Sequence, residues 1–420
     1  MLTTNEIRSS FLEFFKSKEH KILQSSNLKA DNDNSLLFTV AGMVPFKEYF
    51  NGSKISEYDR VATCQKCLRI SGSHGDIDEL GKTTRHLTFF EMLGNFSFGW
   101  YGNDEAIKYS LEYLNDYLKL DVENFYTTVY KDDQHTYLGW VLSNVDNSKI
   151  IWMGEETNFW GPVGEEGVCG PCTEILYDRG EHIDPDATIE NDPKERFLEI
   201  WNIVNIDYYK YANGRKELLQ RPPFIDTGMG LERIASIVQN KDSVFEIDSI
   251  YPIIKVLEEI SRKKYKDNLI PFRIIVDHIR AIAFLMAENI YPDKNRHGYI
   301  VRKLIRRVLY YGRVLDIQES FMIDLLDSVR DTLPTYPELS NNLYMVIKMI
   351  CMEEAQFNKT LDKGIRLIDK LISSEKEIVV EDIHFLYDTH GFPIDLAIDI
   401  LKEKGVNISY NDYLNSIKTK

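Results

Sequence analysis

A chain of 420 residues with a formal net charge of −16, 43% hydrophobic and 28% charged, exceeds what one ordinary core holds. It predicts two or three domains of about 100–200 residues each. The acidity excludes a blanket nucleic-acid coat, although it leaves room for a local basic stripe. No window approaches the roughly 18 uninterrupted apolar residues of a membrane helix, so no membrane partner is expected. The charged start "MLTTNEIRSSFLEFFKSKEHK" is not a signal peptide. Five cysteines, an odd number, point to reduced thiols and a cytoplasmic protein.

In chain order, residues 4–22 read as an amphipathic helix, with Ile7, Phe11, Phe14 and Phe15 at helical spacing. "SLLFTVAGMVPFKEYF" predicts a short strand and a turn at Gly42. "RVATCQKCLRI" (60–70) and "RHLTFFEMLGNFSFG" (85–99) predict an antiparallel hairpin joined by a long polar loop. "NFYTTVY" (124–130), "IIWM" (150–153) and "RFLEIWNIVNIDYYKY" (196–211) are strands by composition. "NFWGPVGEEGVCGPCTEILYD" is a turn-rich loop entering another. "RPPFIDTGMGLERIASIVQ" predicts a strand, a Gly-x-Gly turn and a helix from about Leu231. Beyond about residue 245, helical periodicity dominates. The expected fold is therefore α+β: a sheet with flanking helices over 1–245, followed by an all-α helical domain over 246–420.

Chemistry-bearing residues concentrate in the first part. Alternate side chains of an antiparallel pair share a face. Arg69 and Phe90 can therefore project into one cleft, the ring as a platform for a purine and the guanidinium as a phosphate clamp. His74, in the connecting loop, is placed to reach outer phosphates. The bland alternative, that Phe89, Phe90, Phe96 and Phe98 are core, has equal weight from spacing alone. In "DTGMGLERI", Asp226 ends a strand and Gly228 and Gly230 permit close approach to backbone. Arg233 follows in the first turn of a helix, which itself favours anions.

Cys64 and Cys67, and Cys169 and Cys172, form two C-x-x-C pairs, the spacing of structural zinc sites. The gap of about a hundred residues is far longer than a zinc-ribbon pattern, and no metal is expected there. Cys351 reads as packed core on a helix.

Arg69, a loop, "RHLTFFE" and then "GMGLER" resemble motifs 2 and 3 of class II aminoacyl-tRNA synthetases. The strings "LLFTVAGM", "RHLTFFEMLGNFSFG", "CGPCTEI", "EIWNIV" and "DTGMGLERI" resemble the alanyl-tRNA synthetase family, and the likeness runs over nearly the whole chain. The resemblance implies a class II antiparallel-sheet catalytic domain and a helical tRNA-recognition domain. It also implies ATP and Mg²⁺ as cofactors, with L-alanine and the acceptor stem of tRNA(Ala) as partners. By the same resemblance Arg69 contacts the α-phosphate, Phe90 stacks on adenine, and Arg233 covers the other adenine face and meets the γ-phosphate. Asp226 holds the alanine ammonium and Asn202 orients its carboxylate. Met43, Trp160 and Gly228 shape a pocket sized for a methyl group. No catalytic triad is needed, because alanine's own ionised carboxylate is the nucleophile.

In the helical part, residues 271–320 carry nine Lys or Arg against five Asp or Glu. Arg302 and Arg306, like Lys303 and Arg307, are four apart and form a basic helix face. Spacing favours a solvated surface; the resemblance implies contact with acceptor-stem phosphates. It also implies that Asp388 in "LYDTHGFP" reads the stem's G·U pair. The family's second reader, an asparagine, has Lys294 in its place, with Asn295 adjacent; a lysine offers no acceptor and suits phosphate. Prolines usual near Ala30 and Asn34 are absent, which weakens a motif 1 dimer and favours a monomer. Asn205 replaces a usual phenylalanine. The chain has no H-x-x-x-H pattern, so no editing domain is expected in it. Two rival readings stand beside this one. One is a related ligase passing alanine to a non-translational acceptor; the other is a non-catalytic RNA- or zinc-binding protein.

Overall fold

The computed structural model describes residues 1–30, 35–70, 77, 79–374, 376–406 and 408. His74 and Asn34 lie outside the described residues. The chain forms two compact units, Met1–Pro252 and a second from Ile253 onward.

The first unit is built on one sheet. Its strands are β1 (Lys21–Ile22), β2 (Arg60–Leu68), β3 (Phe89–Phe98), β4 (Phe125–Tyr130), β5 (Ile150–Met153), β6 (Phe159–Trp160), β7 (Gly167–Asp178), β8 (Phe197–Asn205), β9 (Tyr208–Lys210), β10 (Lys216–Leu218) and β11 (Phe224–Gly230). The main path runs β1-β2-β3-β11-β8-β7-β4-β5. Only its outermost pairs, β1·β2 and β4·β5, are parallel. Helices α1 (Thr4–Ser17), α2 (Lys47–Phe50), α3 (Asn103–Glu112), α4 (Gln134–Leu142), α5 (Glu155–Asn158) and α6 (Leu231–Val238) accompany it.

Helix α1 starts at a capping box, Thr3 with Glu6. It stops well short of residue 22, because Glu19 adopts a left-handed φ of 61° and the chain turns into β1. Its apolar stripe, Ile7, Phe11, Phe14 and Phe15, is at most 1% exposed. Phe11 packs edge-on to Tyr113 at 5.3 Å and tilted against Trp201 at 5.8 Å.

Three expectations change. Residues 35–42 form no strand. The segment touches its neighbours at single points, Thr39 N–H to Leu28 O at 2.8 Å and Leu68 N–H to Thr39 O at 2.9 Å, rather than running beside one strand. Residues 196–211 split into β8 and β9, since Ile206 N–H leaves to bond Phe224 O. The Gly-x-Gly of 228–230 is strand, not turn: Met229 pairs with both Leu93 and Trp201, so β11 continues through the glycines into α6. The phenylalanine question divides by position. Phe89 and Phe96 are fully buried, whereas Phe90 is half-exposed.

The second unit is helical: α7 (Tyr251–Ser261, starting just before the boundary), α8 (Leu269–Ala287), α9 (Arg296–Val314), α10 (Met322–Thr332), α11 (Glu338–Asn341), α12 (Leu343–Ser373), α13 (Val380–His390) and α14 (Ile394–Glu403). Helix α8 is buried on nearly every side, its Arg273, Asp277, His278 and Arg280 included. Among the described residues no helix is long and apolar enough to cross a membrane.

Candidate active site

A cleft of about 470 Å³ opens over the middle of the sheet. Strand register explains its composition. Gly228, Asn202 and Glu174 occupy one row across β11, β8 and β7, and Asp226, Val204 and Cys172 occupy the row two residues along. Side chains two apart on a strand share a face, so Asp226, Asn202 and Glu174 all line the cleft.

The hairpin supplies an arginine and an aromatic ring. Cys67 is directly opposite Phe90, and Arg69, two residues on, is its diagonal neighbour. The Arg69 guanidinium carbon lies 5.0 Å from the Phe90 ring centroid. Its peptide N–H donates to Thr88 O at 2.8 Å and its Nε to Val40 O at 2.9 Å, which fixes the fork toward the cleft. Arg233, from the first turn of α6, donates Nη1 to Glu199 Oε2 at 2.9 Å and to Glu199 O at 3.2 Å. A third guanidinium, Arg85, also lines the cleft and pairs with Glu195 at 3.0 Å.

Three carboxyl groups differ in state. Burial pushes Asp226 up to about 8; it is 5% exposed, and no ion pair or hydrogen bond to its side chain occurs among the described residues. Burial, and then the charge of Glu199, pushes Glu174 up to about 8. Burial acts on Glu199 in the same sense, but Arg233 and Arg85 outweigh it and hold that carboxyl below the usual range. The cleft thus presents two carboxyls pushed up by burial, Asp226 and Glu174, and one carboxylate, Glu199, held among arginines. Asn202 Oδ1 is buried with no hydrogen-bond partner among the described residues.

Arg69, Phe90, Trp160, Asn202, Asp226, Gly228 and Arg233 come together in this cleft. Met43 is not among its lining residues. It is 1% exposed in an apolar cluster with Phe46, Phe50 and Phe96, and it borders a neighbouring cavity. The methionine in the cleft is Met92, whose Sδ accepts from Gly42 N–H at 3.1 Å. A Cβ at position 228 would stand 2.9 Å from that sulfur, so glycine is what lets Met92 lie flat here.

Sequence reading missed Arg85, Met92, Glu174 and Glu199. Met92 carries a signal, since it is an even step along β3 from Phe90; Glu174 enters only by lying opposite Asn202 on the neighbouring strand, a pairing that no local pattern shows. Glu199 carries no signal. The β7·β8 register slips between Ile175 and Leu176, leaving Ile200 as an extra residue on β8. Such a bulge turns the following side chain onto the face alternation would deny it.

The four strand cysteines are buried. Burial pushes Cys67 up to about 12 and Cys169 up to about 11. In a strand, residues three apart face opposite ways, so neither C-x-x-C can converge on one point. Strands β2 and β7 are four positions apart in the sheet, or roughly 19 Å at about 4.8 Å per strand. Among the described residues, no group of three or more His, Cys, Asp or Glu is arranged to hold a metal ion. Cys351 is exposed rather than packed.

In the helical unit, Lys294 and Asn295 are exposed just before α9. Asp388 is exposed on α13, with His384 Nε2 at 3.0 Å. Arg302 and Arg306 share Glu353 of α12 at 2.8 and 3.6 Å. The expected basic face is partly internal: Lys303 pairs with Asp395 at 3.7 Å. Arg307 is 6% exposed, bonded to Asp399 and, through Nε, to His278 Nε2 at 3.0 Å. Packing of α9 against α8, α12 and α14 turns that side inward.

A family model described as "tRNA synthetases class II (A)" matches residues 6–420. The alanine–tRNA ligase of Nitratidesulfovibrio vulgaris is 43% identical over 425 residues, 98% of this chain and 48% of that protein. The alanine–tRNA ligase of Thermotoga maritima is 42% identical over 430 residues, 100% of this chain and 49% of that protein. The chain spans about half the length of the curated relatives it matches. Among solved structures, the Pyrococcus horikoshii asparaginyl-tRNA synthetase complexed with asparaginyl-adenylate is more distant. It is 11% identical, over 57% of this chain and 66% of that one, with a TM-score of 0.32. With a family model that spans almost every residue, the chain belongs to the class II (A) tRNA synthetases.

Proposed function

We propose that this chain activates L-alanine with ATP to alanyl-adenylate and transfers the alanyl group to the 3′ end of tRNA(Ala), with residues 1–245 performing the chemistry and 246–420 engaging the acceptor stem. The observation that carries the reading is Asp226, a buried carboxyl without a counter-ion among the described residues that faces the same cleft as the Arg69–Phe90 pair. An amino acid's ammonium is the missing partner. Its carboxylate is then assigned to Asn202, whose amide nitrogen can donate to it, while the amide oxygen, without a partner among the described residues, is left to accept from the ammonium.

In this reading adenine stacks on Phe90, with Arg233 over its other face. Alanine's carboxylate oxygen attacks the α-phosphorus, the bond to the β-phosphate oxygen breaks, and pyrophosphate leaves with the electron pair. No residue need remove a proton. The obstacle is repulsion between two anions, and Arg69, Arg85 and Arg233 lower it by position and charge. Glu199, kept ionised by Arg233 and Arg85, is the carboxylate suited to Mg²⁺, which is commonly held by one or two carboxylates plus substrate phosphates. When bound, Mg²⁺ neutralises phosphate charge. Lys294, Asn295, Arg302, Arg306 and Asp388 are assigned to the acceptor stem, and His74 to the outer phosphates. We place the reaction in the cytoplasm, with the chain a monomer.

The direct test is alanine-dependent exchange of labelled pyrophosphate into ATP by the 420-residue chain. Exchange is expected, and its absence overturns the reading. Two further results follow from the pocket wall. Gly228→Ala forces Met92 into the alanine site, and overpacking of about 1–3 kcal/mol raises KM for alanine by about tenfold in exchange kinetics. Serine, which adds only a hydroxyl, is rejected by about 10²-fold. A serine exchange rate less than about a ten-thousandth of the alanine rate would show that the wall discriminates by something besides size.

A further inference from the structure

We propose that Arg8, in the amino-terminal helix, is a positioning residue for the nucleotide: it sets the two sides of the adenine clamp relative to each other. This rests on the ATP-binding role proposed above for Phe90 and Arg233.

Phe90 and Arg233 come from β3 and α6, elements distant in the chain. Each sits next to a buried glutamate, Glu91 and Glu232, which are 1% and 2% exposed. The two are joined directly, since Glu91 N–H donates to Glu232 Oε2 at 3.1 Å. The Glu91 carboxylate, facing away from Phe90, receives Arg8 Nε at 2.8 Å and Nη2 at 2.5 Å, with Cys64 Sγ at 3.2 Å from the first oxygen. Arg8 is itself 4% exposed. A bidentate Arg–carboxylate pair fixes angle as well as distance. Buried, it tolerates the loss of neither partner.

The same helix holds the far end of α6. Thr4 N–H donates to Asp248 Oδ1 and Oδ2 at 3.2 and 3.1 Å. Gln239, which caps α6, donates Nε2 to Asp248 Oδ1 at 2.7 Å and to Leu2 O at 3.3 Å. Helix α1 therefore braces α6 at both ends, and the bond from Glu91 to Glu232 ties its first turn to the strand carrying Phe90. Arg8 is not among the residues that line the cleft, so its effect is on geometry alone.

The test separates positioning from stability. Arg8→Met, Arg8→Lys and Glu91→Gln are compared with the parent chain in pyrophosphate exchange, in calorimetric ATP binding and in thermal unfolding. Arg8→Met is expected to raise KM and Kd for ATP about tenfold or more, with KM for alanine within about twofold of the parent. Arg8→Lys, which keeps the charge but loses the fork, should fall between the two. Should Arg8→Met fail to fold, Arg8→Lys and Glu91→Gln give the same reading through the ratio of the two KM values. Unchanged ATP affinity in the folded variants, or equal changes in both KM values, overturns the proposal. Absence of exchange in the parent chain overturns instead the proposed function, and ATP calorimetry then decides the role of Arg8 by itself.

Discussion

Asp226→Asn is expected to lower kcat/KM for alanine by about 10³-fold, because truncating one partner of a buried charge pair costs about 2–5 kcal/mol. The same change should stabilise the unliganded protein in alkaline buffer. The carboxyl is pushed up to about 8 by burial, against 3.8 for the free group. Between those values the native state keeps a proton that the unfolded chain has released. The contribution of this group to stability is therefore complete below about pH 4 and is lost as pH rises through about 8. An amide never ionises, so thermal unfolding of the variant should match the parent near pH 4 and exceed it at pH 8.5. Activity adds a second signature. To pair with an ammonium, Asp226 must first lose its proton, so KM for alanine should fall as pH rises toward 8 in the parent. The difference between parent and variant profiles isolates Asp226 from Glu174, which burial places in the same range. A variant that binds alanine as tightly as the parent, with the same pH profile, would remove Asp226 from the amino-acid site.

Arg233→Ala should lower kcat/KM for ATP by about 10³-fold, with a smaller effect on alanine. Two consequences combine. The adenine loses one face and the polyphosphate one positive charge. Glu199 meanwhile loses the guanidinium 2.9 Å from its carboxylate. Burial then acts on Glu199 with only Arg85 and Arg69 opposing it, so its pKa rises. Exchange by the variant should become more pH-dependent below neutrality, where Glu199 starts to protonate, and added Mg²⁺ should rescue it less than it rescues the parent. Retention of parent-like ATP kinetics would show that Arg233 serves Glu199 and not the nucleotide.

Both variants probe a cleft whose pieces differ in how far they can be read from sequence. The diagonal contact of Arg69 with Phe90 follows from period-two alternation across a hairpin, which is local. The placement of Asp226 beside Asn202 does not, because β8 and β11 are joined through β9 and β10 and their register is set by pairing on both sides of β11. Glu199 enters through a bulge, and Arg85 from a loop, where no periodicity constrains direction. Met92 rather than Met43 borders Gly228 because residues 35–42, expected as a strand, cross the sheet's end at isolated points and carry Met43 into the apolar cluster behind. The basic face of α9 shows the same limit. Helical spacing groups Arg302, Lys303, Arg306 and Arg307, but acids from α12 and α14 decide which of them remain open to solvent.

By itself the amino-acid sequence determined the class of fold, the division into a sheet-based and a helical part, and the residue types available for anion and ring binding. Those depend on hydrophobic period, turn chemistry and short spacing, which act within a few residues. The tertiary structure alone decided which carboxyls are ionised, which methionine walls the pocket and how α1 ties Phe90 to Arg233. Each of those is a matter of burial and of neighbours brought from far along the chain, and no local pattern encodes the dielectric or the partner that a side chain will meet.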